Sequence, residues 1–104
     1  MAVKIKRGDR RPGVTITCKL DGALADLSLA SSLKLLGKLN GNLIINRTVT
    51  SASLGKVVID AWEATDTNTA GRLQLEVEAT WADGTKTTFP PDKYLEVDII
   101  PDLG

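Results

Sequence analysis

The sequence predicts an all-β protein, an immunoglobulin-like antiparallel β-sandwich of about seven to eight strands. From Arg72 to Trp81 apolar and polar residues alternate strictly, which is typical of a strand with one buried and one solvated face. Asp83-Gly84 follows, and an Asp-Gly pair tolerates the positive φ angles of a two-residue hairpin loop. A chain of 104 residues has the size of one domain, so we expect a single sandwich over residues 1–104.

The same alternation, punctuated by turn residues, predicts the other strands. Lysines on the first strand mark it as a short edge strand, because charge discourages unwanted strand pairing. Residues 33–39 also fit a helical turn, but Gly37 would cost a helix about 1 kcal/mol and Asn40-Gly41 is a hairpin signal. The segment 63–71 lacks alternation and predicts a single helical turn or a capped bend where the chain crosses between sheets. The predicted strands are Val3–Lys6, Val14–Leu20, Leu33–Leu39, Leu43–Val49, Lys56–Trp62, Arg72–Trp81, Lys86–Phe89 and Tyr94–Ile100.

The core is predicted from the apolar side of these strands. Cys18, the single cysteine, permits no intramolecular disulfide and is interpreted as a small apolar core residue. One set of residues is expected to be buried together: Val14, Ile16, Cys18, Leu73, Leu75, Val77, Trp81, Leu95, Val97 and Ile99. The middle strands are expected to add Leu33, Leu35, Leu39, Leu43, Ile45, Val49, Val57 and Ile59.

The residue types argue against catalysis. Without histidine and with one cysteine, Ser-His-Asp and Cys-His catalysis and Cys- or His-ligated zinc are excluded. Glu76 and Glu78 are expected on a solvated strand face. The segment 66–71 opens like a calcium loop, but Val77 stands where that loop needs a bidentate Glu. We therefore expect no enzyme activity, no catalytic residue, no cofactor and no metal.

Charge is unevenly distributed along the chain. Residues 1–56 carry ten Lys and Arg against three Asp, a net +7, and residues 57–104 carry three against ten, a net −7. Either the two halves pair within one chain, or copies associate basic side to acidic side. The loop with Arg7, Arg10 and Arg11 is expected to be exposed and to meet an acidic partner surface, with Asp9 alone offsetting the arginines.

Nucleic acid and membranes are not expected partners. The first 61 residues contain no Phe, Tyr or Trp to stack on bases beside the basic cluster, so specific nucleic-acid binding is not predicted. No apolar run approaches the roughly 20 residues that span a bilayer, and no signal-peptide region is evident at the start.

Strict alternation also predicts an apolar outer patch. If the middle strands bury the residues given above, Leu36, Ile44, Val58 and Trp62 fall on or near the opposite face. A patch of four large apolar side chains usually marks a partner site. We expect a subunit contact there with Trp62 as its anchor, unless the segment 26–32 or 63–71 folds over it.

Several stretches resemble a known family. The segments are IKRGD near the start, VTITCKL, GKVVIDAW, and ATDTNTAGRLQLEVEATWADGTKTTFPPDKYLEVDI. Together they cover nearly the whole chain, and they resemble the small immunoglobulin-like sandwich of tailed-phage virion proteins, in particular the N-terminal domain of upper baseplate proteins. The most specific part is Asp66–Pro90.

The resemblance implies a non-enzymatic structural component of a phage virion, in the tail, the baseplate or the capsid surface. Such a protein is made in the host bacterial cytoplasm, is present in multiple copies and contacts other virion proteins. The family offers no catalytic residues to carry over. The alternative is a free-standing ligand-binding module, for example for carbohydrate, whose stacking aromatics would come from Trp62, Trp81, Phe89 and Tyr94.

Overall fold

The structure, a computed structural model, describes residues 3–50, 54–63, 65–89 and 95–103. The predicted all-β class is confirmed: these residues hold ten strands and one short 3-10 helix, Leu27–Leu29. The strands are β1 Val3–Lys6, β2 Val14–Thr17, β3 Lys19–Leu20, β4 Ala23–Leu24, β5 Ala30–Leu39, β6 Asn42–Thr48, β7 Lys56–Ile59, β8 Gly71–Trp81, β9 Lys86–Phe89 and β10 Leu95–Ile100.

A six-stranded sheet is built around β8. β5 pairs with β8 along nearly its whole length, while β10 and then β9 share its other side. The strand order is β1-β10-β8-β5-β6. β1 forms one edge, as predicted, with exposed Lys4 and Lys6 on either side of buried Ile5, and it runs parallel to β10. The strand with the clearest alternation in the sequence is therefore the centre of the sheet.

A smaller layer covers this sheet. β2 pairs with β7, and β3 pairs with β4. Val14 and Ile16 of β2 and Val57 and Ile59 of β7 are buried in the same core as the inner residues of β8. The arrangement is compatible with the predicted sandwich, and the immunoglobulin-like strand order stays a prediction. The segment after β7 crosses from the smaller layer to the larger sheet, as predicted.

The core matches most of the predicted set. Of the ten residues expected to be buried together, Trp81 and Leu95 are half-buried against the core and the other eight are buried. Each inner residue of β8 is flanked by a more exposed one, so the alternation reports the two faces correctly. The start of the last predicted strand, Tyr94, lies outside the described residues.

The hairpin turns differ in type. Asn40 and Gly41 both have positive φ angles, 51° and 86°, as a two-residue turn between β5 and β6 requires. The two-residue loop predicted at Asp83-Gly84 is wrong, because only Gly84 has a positive φ angle. The Asp83 carboxylate accepts from the Thr85 amide at 3.0 Å and from its hydroxyl at 2.6 Å, which holds a three-residue loop closed by the bond from the Trp81 amide to the Thr85 carbonyl.

Candidate interaction surfaces

The basic loop, residues 7–13, is tied to the segment that follows β7. The Trp62 amide donates to the Arg10 carbonyl at 2.7 Å, and Arg10 Nε donates to the Trp62 carbonyl at 2.7 Å. The Thr67 hydroxyl donates to the Asp9 carbonyl at 2.8 Å. These bonds hold the loop in one shape although its side chains are exposed.

The three arginines predicted as contact residues are exposed, as expected, but two of them are engaged within the chain. Arg7 pairs with Asp102 at 2.7 Å, so the expectation that only Asp9 offsets the arginines is wrong. The pairing is 95 residues apart in sequence and depends on β1 lying beside β10. Arg10 uses its Nε within the chain, and Arg11 makes no ion pair among the described residues.

An open cleft of about 380 Å³ is formed by part of this loop. It is lined by Asp9, Arg10, Arg11 and Ala61. Because Arg10 binds the Trp62 carbonyl through Nε alone, its terminal amino groups have no acceptor among the described residues. The cleft thus presents cationic donors on a fixed backbone, with one carboxylate two residues from Arg11.

The predicted exposure of Trp62 is wrong, since its side chain is 0% exposed. β7 ends at Ile59, so the strand alternation does not reach Trp62. The indole Nε1 donates to the Pro12 carbonyl at 2.9 Å, and both backbone groups bond to Arg10. The basic loop therefore holds this tryptophan inside its own chain, and it is not an exposed anchor of a subunit contact.

β6 is an edge strand of the six-stranded sheet, at the opposite end from β1. Its register with β5 shifts between Gly37, which is opposite Ile45, and Lys38, which is opposite Leu43. Ile44 is thus an extra residue, a β-bulge that interrupts the alternation. Leu43 is 53% and Ile44 42% exposed, while Ile45 is buried. The predicted burial of Leu43 is wrong for this reason, and the predicted exposure of Ile44 is confirmed.

A shallow depression of about 90 Å³, here called the outer depression, lies beside this edge. Leu36 lies between buried Leu35 and Gly37 and is half-buried on the outer face. Its neighbours across the strands add apolar and charged groups to one surface. The lining residues are Leu36, Gly37, Lys38, Leu43, Gln74 and Glu76.

Val58 is 39% exposed, as predicted, but it belongs to a different surface. It lies on β7 opposite Thr15 of β2, whereas Ile44 lies on β6 of the six-stranded sheet. The expectation that Ile44 and Val58 occupy neighbouring strands is therefore wrong. The predicted patch separates into two surfaces, and only that of Ile44 adjoins the outer depression.

Arg47 and Asp66 form a partly buried ion pair that the sequence pattern did not reveal. The guanidinium donates to both carboxylate oxygens at 3.1 and 2.8 Å, and the Asp66 side chain is 2% exposed. Asp66 also accepts from the Glu63 amide at 2.9 Å. The hydrogen bond to Asp66 is the main cause that raises the Arg47 pKa above its ordinary value, against the effect of burial.

This ion pair gives the calcium-like segment a structural role. Asp66 would be the first oxygen ligand of a calcium loop. Its carboxylate instead caps a bend and ties that bend to edge strand β6. The described residues contain no group of three or more His, Cys, Asp or Glu placed to hold a metal ion. Within the same residues, no helix is long and apolar enough to cross a membrane.

The uneven charge is partly neutralised inside the chain. Arg7 with Asp102 and Arg47 with Asp66 join the basic half to the acidic half. Other ion pairs lie within the acidic half, such as Arg72 with Glu96 and Asp98, or Lys86 with Glu78. Intramolecular pairing thus accounts for some of the charge, while Arg11 and Glu76 have no ion-pair partner among the described residues.

The aromatic residues are poorly placed for stacking on a sugar. Trp62 and Phe89 are buried. Trp81 is half-buried, and its Nε1 donates to the Thr87 hydroxyl at 2.9 Å. Tyr94 lies outside the described residues. No observation on these side chains favours the carbohydrate alternative.

Together the fold and surfaces define an all-β protein with a sandwich-like core, a rigid basic loop and an apolar free sheet edge. In comparisons with protein families, with curated proteins and with solved structures, nothing matches this chain.

Proposed function

We propose that this chain is a non-enzymatic structural component of a phage virion that acts through contacts with other virion proteins. The observation that carries the contact role is the adjacent exposure of Leu43 and Ile44 on edge strand β6 of the main sheet. The chain is present in multiple copies in the tail, the baseplate or the capsid surface. It is made in the cytoplasm of the host bacterium.

The edge strands β1 and β6, at the two ends of the strand order, differ in a way that supports this proposal. β1 carries exposed Lys4 and Lys6, the kind of charge that keeps an edge from pairing with other strands. The stretch Asn42–Asn46 of β6 carries no charge and exposes two large apolar side chains. Apolar groups beside unpaired backbone groups favour a protein partner that covers them.

The assignment to a virion rests on the sequence resemblance described above. The run from Asp66 to Pro90 carries its most specific part, and this run contains β8, the central strand of the sheet, and β9, which pairs with it. That resemblance implies a structural role and offers no catalytic residues to carry over. The same role for this chain requires an exposed contact surface, which β6 supplies.

Particle association tests the proposal. Phage particles are purified from a lysate of the host that encodes this chain and are labelled with an antibody against it for electron microscopy. We expect label at one fixed location on each particle, in several copies. Recovery of the whole amount in the particle-free fraction would refute the virion role.

The contact surface is tested with a double substitution, Leu43→Lys with Ile44→Lys. Because both side chains are exposed, we expect the free energy of unfolding to change by no more than about 0.5 kcal/mol. We expect incorporation into particles to fall. Leu29→Lys is the control, since Leu29 is 67% exposed on the 3-10 helix and precedes the part of β5, Lys34–Leu39, that pairs with β6. Equal incorporation of both variants would contradict the assignment of this edge.

A further inference from the structure

We propose that copies of this chain associate head to tail, with the basic loop of one copy seated in the outer depression of the next. In this contact Arg11 binds Glu76 and Asp9 binds Lys38, above a floor formed by Leu36 and Leu43. The inference names the partner for the contact role proposed above, and it rests on that role.

The basic loop has the properties of a donor surface. Its backbone is fixed by bonds to Trp62 and Thr67, so little conformational freedom is lost when it docks. The Arg11 side chain is exposed and makes no ion pair among the described residues. Asp9 is exposed too, and its backbone, not its carboxylate, makes the bonds that hold the loop.

The outer depression has the complementary properties. Leu36 and Leu43 supply apolar surface, which suits the aliphatic stem of an arginine. Glu76 is half-buried at its rim and forms no ion pair among the described residues, so it can receive a guanidinium. Lys38 is exposed on the same face.

The spacing of the charges agrees on the two surfaces. Lys38 is opposite Gln74, so Glu76 is its diagonal neighbour across the strand pair, at about 7–8 Å. Asp9 and Arg11 are two residues apart, and two residues of chain span at most about 7 Å. Each surface thus presents one acidic and one basic group at a similar separation. When the loop is seated, Arg11 can face Glu76 while Asp9 faces Lys38.

The basic loop does not reach the outer depression of its own chain. It leaves β1, and two strands, β10 and β8, separate β1 from β5. Lys6, the last residue of β1, is level with Ile100, and Ile99 is opposite Gly71, so the loop leaves the sheet at the Gly71 end of β8. Glu76 lies five residues further along β8, about 17 Å away at about 3.3 Å per residue. The bonds to Trp62 and Thr67 also prevent the loop from swinging outward. A second copy is therefore required.

The contact joins two different surfaces, so it is heterologous. Such contacts form a closed ring or an open chain according to the rotation between neighbouring copies. Either outcome gives a multi-copy structure of the kind a virion component needs. Since exposed ion pairs carry part of the contact, its strength depends on salt.

The test is a charge exchange followed by sedimentation of the purified full-length chain. Wild-type protein is expected to form species larger than a dimer at about 50 mM salt and to dissociate at about 500 mM salt. Arg11→Glu places a carboxylate against Glu76, and Glu76→Lys places an ammonium against Arg11. Each single variant is expected to raise the apparent Kd by about tenfold or more.

Mixing the two variants gives the sharpest result. The carboxylate introduced at position 11 of one variant meets the ammonium introduced at position 76 of the other. The unchanged Arg11 of the second variant meets the unchanged Glu76 of the first, so the mixture is expected to assemble. Lys56→Glu is the matched control for Arg11→Glu, because it makes the same charge change at an exposed position on β7 and should leave assembly unaffected. Circular dichroism and urea midpoints verify that every variant is folded.

Three outcomes overturn the inference: a wild-type chain that is monomeric at every concentration, single variants that assemble normally, or a mixture that stays monomeric. Assembly that is unchanged by both substitutions would mean that copies associate through another surface. A chain that labels particles but fails this test loses the head-to-tail contact and keeps its virion role. A chain that passes it and is absent from particles loses the virion role alone.

Discussion

Removing the Trp62 side chain should destabilise the fold severely. Trp62 is fully buried, and a buried tryptophan contributes roughly 150–250 Å² of surface, or about 4–6 kcal/mol at 25 cal/mol per Å². Measured Trp→Ala losses of about 3–5 kcal/mol in cores agree with that range. Truncation also removes the donor to the Pro12 carbonyl, 2.9 Å away. We expect Trp62→Ala to lose about 4 kcal/mol, a large part of a typical stability of about 5–15 kcal/mol.

The assay is equilibrium urea unfolding, monitored by circular dichroism so that the loss of the indole does not affect the signal. Trp62→Phe separates packing from hydrogen bonding, because it keeps an aromatic ring and leaves the Pro12 carbonyl unpaired. We expect a smaller loss of about 1–3 kcal/mol for that variant. A loss below about 1 kcal/mol for Trp62→Ala would refute the buried position and return Trp62 to the surface.

Three further predictions concern other parts of the fold. Asp66→Ala leaves the Arg47 guanidinium without its main partner and should lower the free energy of unfolding by about 3 kcal/mol, with little dependence on salt; a change below about 1 kcal/mol in urea unfolding contradicts it. Gly13→Ala would drive a Cβ into the Ile59 carbonyl oxygen, so thermal unfolding should show a loss of about 3 kcal/mol or more, and an unchanged midpoint would mean that the loop lies elsewhere. Burial raises the pKa of the Cys18 thiol from 9.0 to about 11, so the free energy of unfolding should fall as pH rises from about 9 to about 11. A thiol reagent at about pH 8 should react with Cys18 only after unfolding, and rapid labelling of the folded protein would contradict this prediction.

The alternation of apolar and polar residues predicted the strands well, because a strand that buries one face has an apolar residue at every second position. In β8 each of Leu73, Leu75 and Val77 is buried, and the partly exposed residues between them are polar. The same argument failed at Leu43, because the bulge at Ile44 adds a residue that the alternation does not reveal. A bulge depends on how two strands are aligned, which is a property of the pair and not of either strand alone.

The candidate surfaces were less predictable because long-range contacts decide them. Trp62 is enclosed through bonds to Arg10 and Pro12, about 50 residues earlier in the chain. The ion pair of Arg47 with Asp66 joins an edge strand to a bend 19 residues later, which strand alternation does not report. Alternation assigned Val58 correctly to a solvent-facing side, but it could not say that β7 pairs with β2 and not with β6.

The contact role of edge strand β6 is tested most directly by hydrogen exchange on the chain free in solution and within purified phage particles. We predict that the β6 amides that are not bonded to β5 exchange readily in the free chain and become protected in the particle. Amides of β8 should be protected in both states, because β8 is paired on both sides. Equal exchange of the β6 amides in the two states, with the chain present in the particle, would contradict the contact role.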